Sequence, residues 1–338
     1  MVIPTTVDIR EVGPRDGFQN EPEVIPTERK VELIDMLART GLRRLEVTSF
    51  VRPDVIPQLA DAEEVLAGIE VPAEVALSVL IPNERGLERA LRAREAIASQ
   101  WPKRSSAGAR TRPAFDEINV FLSASETHNR KNVNRSIEES LESLENVLLR
   151  ARGVGLRCEA VISTSFGCPY EGRVAPERVL EIAQRLRDAG AQEIGFGDTT
   201  GMANPVQVEA FFELAFDRLR VSDGSAPRTE RGGTVEDGLQ LTAHFHNTRG
   251  QGLANVLAAL QSGVSSFESS FGELGGCPVP AGATGNVASE DLISMLHEMD
   301  ISTGVDLDAL LGCARRVQEV LGRSLGSHTL VAGPVDWH

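Results

Sequence analysis

"VELIDMLARTGLRRLEVTSF", from Val31 to Phe50, joins an amphipathic helix, a glycine and a β-rich run in one short stretch. The helical spacing stops near Gly41, where a chain leaving a helix turns left-handed, and "RRLEVTSF" then reads as a strand. The same order returns in "VLLRARGVGLRCEAVISTSF" around Gly155, "VLEIAQRLRDAGAQEIGFGD" around Gly190 and "NVLAALQSGVSSFESSF" around Gly263. Apolar strands that alternate with helices point to a parallel sheet. Candidate strands fall at residues 7–12, 44–49, 75–80, 117–123, 157–163, 193–197, 241–246 and 264–270. Each is followed by a helix-like segment, and eight such units fit an α/β fold of the (β/α)₈ TIM barrel type. An open doubly wound sheet is the alternative, but no G-x-G-x-x-G follows the first strand.

After the eighth strand, "SEDLISMLHEMD" and "DLDALLGCARRVQEVLG" have helical spacing and are expected to cap or flank the barrel. The whole chain, 1–338, therefore reads as a single catalytic barrel domain. Its core is expected at about 7–300, with a C-terminal helical extension over 301–338. Two stretches rich in Gly, Ser, Pro and charge, 99–113 and 221–238, read as loops between a helix and the next strand. Such connections leave from the N-terminal face of a barrel, opposite the chemistry. Lys103, Arg104, Arg110 and Arg112 are discounted as substrate ligands for that reason.

With 338 residues, 41% of them apolar, the chain can bury a large core without a disulfide or a structural metal. A net charge of -15 argues against a nucleic-acid partner, whose backbone needs a basic face. Small anionic substrates respond only to the local field. Cys158, Cys168, Cys277 and Cys313 form no C-x-x-C pair and read as reduced thiols. No apolar run approaches the roughly 20 residues of a membrane span, and "MVIPTTVDIR" lacks the features of a leader. A soluble cytoplasmic protein with no membrane partner is expected.

Strand C-termini carry the active site of a barrel. Those positions hold Arg15 and Asp16, Glu46, Ser123 and Ser125, Ser163, Asp198, His244 and His246, with Cys277 in the last loop. His244 and His246 are two apart on a strand, so they share a face and can bind one divalent cation. A pair of hydrogen-bonded histidines is the bland alternative. Asp16 is the natural carboxylate beside them, because the first strand neighbours the last ones in a closed ring. Asn286, near the start of a helix that Ser289 is expected to cap, can add an amide oxygen or be a simple turn residue. Two imidazoles, a carboxylate and an amide suit Mg²⁺ or Mn²⁺, with Zn²⁺ as an alternative. Cys277 lies at a Gly-Gly bend of "ELGGCPVPAGATGN", a loop with the look of a mobile lid, where a thiol can be a nucleophile or a proton donor. Arg15 beside a metal can stabilise a developing oxyanion such as an enolate.

"EVGPRDGFQNE", "EVTSFVRPDVIPQLAD", "SASETHNRKN", "SFGCPYEGRV", "GDTTGMANP", "HFHNTRGQGLAN" and "GGCPVPAGATGNVASEDL" occur in this order over about residues 7–300. Together they resemble the 3-hydroxy-3-methylglutaryl-CoA (HMG-CoA) lyase family of metal-dependent TIM barrels. The resemblance implies retro-Claisen cleavage of a 3-hydroxy-acyl-CoA to acetyl-CoA and acetoacetate, a reaction of leucine degradation and ketone-body formation. It makes Asp16, His244, His246 and Asn286 the ligands of Mg²⁺ or Mn²⁺, which would chelate the substrate's tertiary hydroxyl and free carboxylate. Arg15 would face the enolate, Cys277 would shuttle the proton that quenches it, and Glu46 and Asp198 would orient the site. A homodimer is expected on the same ground.

The chain also departs from the family pattern. Members typically read H-x-H-D-T-Y-G, whereas Asn247 and Arg249 stand here. They also read G-G-C-P-Y with a Lys soon after, where this chain has Val279 and Pro280. These changes could alter the mouth that receives the acyl part, so citramalyl-CoA or a longer branched hydroxyglutaryl-CoA is the alternative substrate. Claisen synthases such as isopropylmalate synthase share the barrel and the metal, but typically carry Thr-Leu where Gly13-Pro14 stands and lack the Gly-Gly-Cys-Pro loop. A barrel that binds a CoA ester or a partner protein without turnover would be expected to lose a metal ligand or Arg15, and none is lost.

Overall fold

A computed structural model describes residues 3–100, 114–219, 238–276 and 284–337. Eight parallel strands close into a ring in sequence order: β1 (Asp8–Glu11), β2 (Arg44–Ser49), β3 (Ala76–Leu80), β4 (Glu117–Ser123), β5 (Arg157–Ser163), β6 (Glu193–Asp198), β7 (Gln240–Phe245) and β8 (Ser266–Ser269). The closing pair runs Asp8↔Ser266 to Glu11↔Ser269, so the chain's first strand lies beside its last. The TIM barrel expected from the pattern is the fold, and all eight strands lie where the sequence places them, within two residues at either end. Gly41, Gly155, Gly190 and Gly263 all have positive φ, from +76° to +108°, at the helix exits. The loop readings at 99–113 and 221–238 fall almost wholly outside the described residues, as do Lys103, Arg104, Arg110 and Arg112.

Helices α1 (Thr27–Leu37), α2 (Ala62–Gly68), α3 (Glu84–Gln100), α4 (Glu126–Val133), α5 (Ile137–Gly153), α6 (Pro176–Asp188), α7 (Pro205–Leu219), α8 (Gly252–Gln261) and α9 (Ser289–Glu298) surround the ring. Extra C-terminal helices α10 (Leu307–Leu321) and α11 (His328–Ala332) follow, and Arg316 of α10 pairs with Glu32 of α1 at 2.6 Å. Outward-facing strand residues such as Leu45, Val79, Ile118, Ile162, Ile194 and Phe267 are buried beneath the helices. Phe166, Phe196, Phe211, Phe212 and Phe245 form an edge-on cluster, with centroids 4.9 Å apart for Phe196–Phe211, that seats α7 on β6 and β7. No helix among the described residues is long and apolar enough to cross a membrane.

The inward face is different, because barrel interiors are usually filled by branched apolar side chains. Here Arg10 of β1 reaches Glu117 on β4 (3.3 Å), Glu193 on β6 (3.5 Å), Glu268 on β8 (3.0 Å) and Glu159 on β5. Arg44 of β2 binds Asp8 (3.1 Å), Glu117 (2.8 Å) and Glu193 (2.7 Å). Arg157 and the Thr242 hydroxyl also donate to Glu193. Partners on opposite strands meet only if all these side chains point into the lumen. The strands thus alternate, apolar outward and ionic inward, although helices cover the ring.

A charge removed from water is tolerated only while its partners remain, and stripping one partner from a buried pair costs about 3–5 kcal/mol. Arg44→Met should therefore destabilise the fold by about that amount, because Asp8, Glu117 and Glu193 lose their shared donor. Urea or thermal unfolding of the variant beside the parent chain measures it; an unchanged midpoint would mean the layer contributes nothing.

Candidate metal centre

The chain leaves β1 through a single π-type turn, Gly13–Gly17, in which the Asp16 N–H donates to the Val12 carbonyl at 2.7 Å. Glu11 shapes this exit by accepting from the Gly13 N–H at 2.7 Å and from the Phe271 N–H at 3.0 Å. The turn delivers Arg15 and Asp16 to the mouth of the lumen. Arg15 Nε donates to Glu46 Oε2 at 2.8 Å, and its Nη1 donates to Asp16 Oδ1 at 2.6 Å. Burial works against the guanidinium charge, yet Glu46 and Asp16 outweigh it and push the Arg15 pKa further up. Glu46 sits beside a register shift between β2 and β3, an irregularity of the kind that re-aims side chains near functional sites. Burial raises its carboxyl to about 7 against the pull of Arg15.

His244 is on β7 and His246 one step beyond its end, and their Nε2 atoms face each other at 3.1 Å. Ligand atoms of Asp16, His244 and His246 all lie within 4.8 Å of one another, the one such cluster among the described residues. Adjacent ligands around an octahedral ion with bonds of about 2.1 Å stand about 3 Å apart, so the Nε2 spacing fits a shared cation. Burial opposes the charge on Asp16, but Arg15, His244 and His246 hold its carboxyl below the usual range. Asn286 bridges to His246 across a short antiparallel contact, and its Nδ2 donates to Asp16 Oδ2 at 2.8 Å and to the Leu274 carbonyl at 2.9 Å. Its Oδ1 is buried and has no hydrogen-bond partner among the described residues. An orphaned amide oxygen beside two imidazoles and a carboxylate is what a divalent cation would satisfy.

Other strand-exit residues bond to nearby backbone and hydroxyl groups. Asp198 Oδ1 accepts from the N–H groups of Met202 (2.8 Å) and Ala203 (3.1 Å), and burial raises its carboxyl to about 7. Ser123 bonds Thr164 at 2.7 Å, Ser163 donates to the Leu122 carbonyl at 3.0 Å, and Ser125 caps α4. These serines tie strand ends together, against their reading as chemistry. Ser289 does not cap α9: its hydroxyl bonds Glu11 and Ser269 within the core instead. Arg249, read as a possible change to the mouth, donates from Nη1 to the carbonyls of Thr200 (2.7 Å) and Gly201 (2.8 Å), bracing the loop after β6. Cys277, Val279 and Pro280 lie outside the described residues. Glu268 of β8, absent from the sequence reading, lies 2.8 Å from His244 Nδ1. An acidic residue in the middle of "SSFESSF" was the available signal.

A closed (β/α)₈ barrel with a compact two-histidine, carboxylate and amide cluster at its strand C-termini has the makings of a metal-assisted enzyme. The HMGL-like family model matches residues 6–317. Hydroxymethylglutaryl-CoA lyase YngG of Bacillus subtilis is 43% identical over 98% of this chain and 98% of its own length. The mitochondrial hydroxymethylglutaryl-CoA lyase of Rattus norvegicus is 41% identical, over 96% of this chain and 89% of its own. The crystal structure of the B. subtilis HMG-CoA lyase superposes with a TM-score of 0.84 at 42% identity, covering 98% of this chain and 99% of that one. An HMG-CoA lyase from Acinetobacter baumannii in complex with coenzyme A and 3-methylmalate also gives 0.84, at 36% identity, over 100% and 99%. The chain belongs to the HMGL-like family and is a carbon–carbon lyase, as the motif resemblance implied.

Gly275 has φ +91°, and a Cβ there would press on Asn286 Nδ2 and lie 2.8 Å from Asp16 Oδ2. Gly275→Ala should drive these two groups apart and weaken uptake of Mn²⁺ at least tenfold while the barrel still folds. Equilibrium dialysis with Mn²⁺, alongside circular dichroism, checks this; unaltered uptake would remove Asp16 or Asn286 from the ligand set.

Proposed function

We propose that the protein cleaves 3-hydroxy-3-methylglutaryl-CoA, or a thioester closely like it, to acetyl-CoA and acetoacetate by retro-Claisen cleavage. The observation that carries this reading is the 2.6 Å pairing of Arg15 with Asp16, which sets a fixed cation beside the histidine cluster. Asp16, His244, His246 and Asn286 would hold the divalent ion, Mg²⁺ or Mn²⁺. When bound there, such an ion supplies the Lewis acidity that lowers the pKa of the substrate's tertiary hydroxyl.

The chain's own residues do the rest. As the hydroxyl proton departs, the bond between the hydroxyl-bearing carbon and the carbon next to the thioester breaks. A ketone forms on one fragment, and the electron pair passes to the other as a thioester enolate. Arg15, clamped by Glu46 and Asp16, keeps further N–H donors for that enolate oxygen, and its fixed position avoids reorganisation during the step. A proton then adds to the enolate carbon to give acetyl-CoA, and the family resemblance assigns its delivery to Cys277. Glu46 acts by holding Arg15, and Asp198 by fixing the turn after β6.

A second reading keeps the reaction and shortens the acyl group. It is favoured by the 3-methylmalate described in the A. baumannii relative, a smaller hydroxy diacid than hydroxymethylglutarate. Citramalyl-CoA is the nearest CoA ester of that size. For the cell, we place the enzyme in the cytoplasm as a homodimer acting in leucine degradation; the unpaired Cys158, Cys168 and Cys313 support a reducing compartment.

Release of acetyl-CoA and acetoacetate from HMG-CoA with Mg²⁺ or Mn²⁺, and its loss with a chelator, tests the proposal; activity on citramalyl-CoA alone would move the substrate and keep the mechanism. Arg15→Gln should lower kcat by about 10²–10³ while Mn²⁺ still binds, as expected for loss of one oxyanion donor. A variant with the parent rate would refute the enolate role.

A further inference from the structure

Glu268 stands in the middle of β8 with its side chain in the lumen, 3% exposed. Its two oxygens face different partners. Oε1 is 3.0 Å from Arg10 Nη1, and Oε2 is 2.8 Å from His244 Nδ1. Arg10 is itself immobilised by Glu117, Glu159 and Glu193 from three other strands. A guanidinium has donors only, so the oxygen that faces Arg10 must accept. A carboxylate has no proton of its own to offer, so the other oxygen must accept as well, and His244 must donate from Nδ1. In the neutral imidazole, the form that can bind a metal, this leaves His244 Nε2 as a bare lone pair, and Nε2 is the atom that faces His246 at 3.1 Å.

We propose that Glu268 is the positioning residue of the metal centre: anchored by Arg10, it holds His244 in the Nδ1–H form and aims Nε2 at the cation. The assignment rests on the metal reading made above. It explains why a layer of charges lies directly beneath the ligands. Arg10 fixes the rotation of the Glu268 carboxylate, and the carboxylate fixes the ring. Outer carboxylates of this kind typically change metal affinity by about 10–100-fold when removed.

The arrangement also makes an asymmetric prediction. In Glu268→Gln the amide oxygen is claimed by Arg10, so the amide NH₂ faces His244. Nδ1 must then accept, the ring proton moves to Nε2, and the ligand lone pair is lost. An amide in place of a histidine-orienting carboxylate selects the wrong tautomer in this way. Glu268→Asp keeps an acceptor and should retain the Nδ1–H form.

The experiment uses the full chain with Mn²⁺ and Mg²⁺ as probes. Mn²⁺ dissociation constants are measured by calorimetry for the parent, Glu268→Gln and Glu268→Asp, with thermal unfolding to confirm that each is folded. Long-range ¹H–¹⁵N spectra of ¹⁵N-histidine protein in Mg²⁺, with only six histidines to assign, read the His244 tautomer directly. The expected result is a rise in the dissociation constant of about 10–100-fold or more for Glu268→Gln, with Nε2–H in place of Nδ1–H, and a smaller rise for Glu268→Asp. A parent protein that takes up no Mn²⁺ overturns the metal reading itself. A parent that binds Mn²⁺ but lacks Nδ1–H on His244, or a Glu268→Gln chain that binds as tightly as the parent, overturns the role of Glu268. Should Glu268→Gln fail to fold, the parent's tautomer alone decides.

Discussion

Arg10 meets carboxylates from β4, β5, β6 and β8 inside the barrel, and this convergence is the contact on which much else depends. Each charge is shut away from water, where an unpaired ion would cost several kcal/mol. The pairings satisfy one another only when the ring is closed in register. Ring closure in turn puts β1 beside β8, and thereby Asp16 beside His244 and Asn286. The fold and the site are thus secured by the same set of lumen contacts. The apolar layer outside the ring supplies burial, which is non-directional; the ionic layer inside supplies register.

The architecture was largely legible because each unit advertises itself locally. A helix that stops at a glycine with positive φ, followed by a Val- or Ile-rich run, needs no partner to be recognised, and Gly41, Gly155, Gly190 and Gly263 behave as their positions require. The ionic lumen was not legible. Arg10 and Glu268 are separated by 258 positions, and their contact exists only through closure of the ring. A single arginine in "VDIREV" gives no sign of whether it meets water or four carboxylates.

The site was legible in part for the same reason. Asp16, His244 and His246 stand at strand exits and converge with Asn286 from just before α9, with Arg15 and Glu46 paired beside them. Position at a strand exit was not enough to mark chemistry, however. Ser123, Ser125 and Ser163 share that address but spend their hydroxyls on neighbouring strands and a helix cap. Ser289 looked like a cap from its place before an apolar run, yet the proximity of Glu11, 278 positions away, claims its hydroxyl. Small hydroxyl side chains take whichever acceptor the tertiary structure brings closest, and no local pattern records that choice.

The ionic lumen also has a history implied in it. Exchange of Arg10 alone would take a shared counter-charge from carboxylates on four strands, and exchange of Glu159 or Glu268 alone would remove one of the carboxylates that hold it. A change at one of these positions is therefore felt by its partners on other strands. Across the lineages of such a barrel, a change in this layer should tend to be accompanied by compensating changes at its partners. The outer face, where one aliphatic side chain substitutes readily for another, is free to drift residue by residue. Two halves of the same strands, distinguished only by odd and even positions, are then held to different standards of exchange.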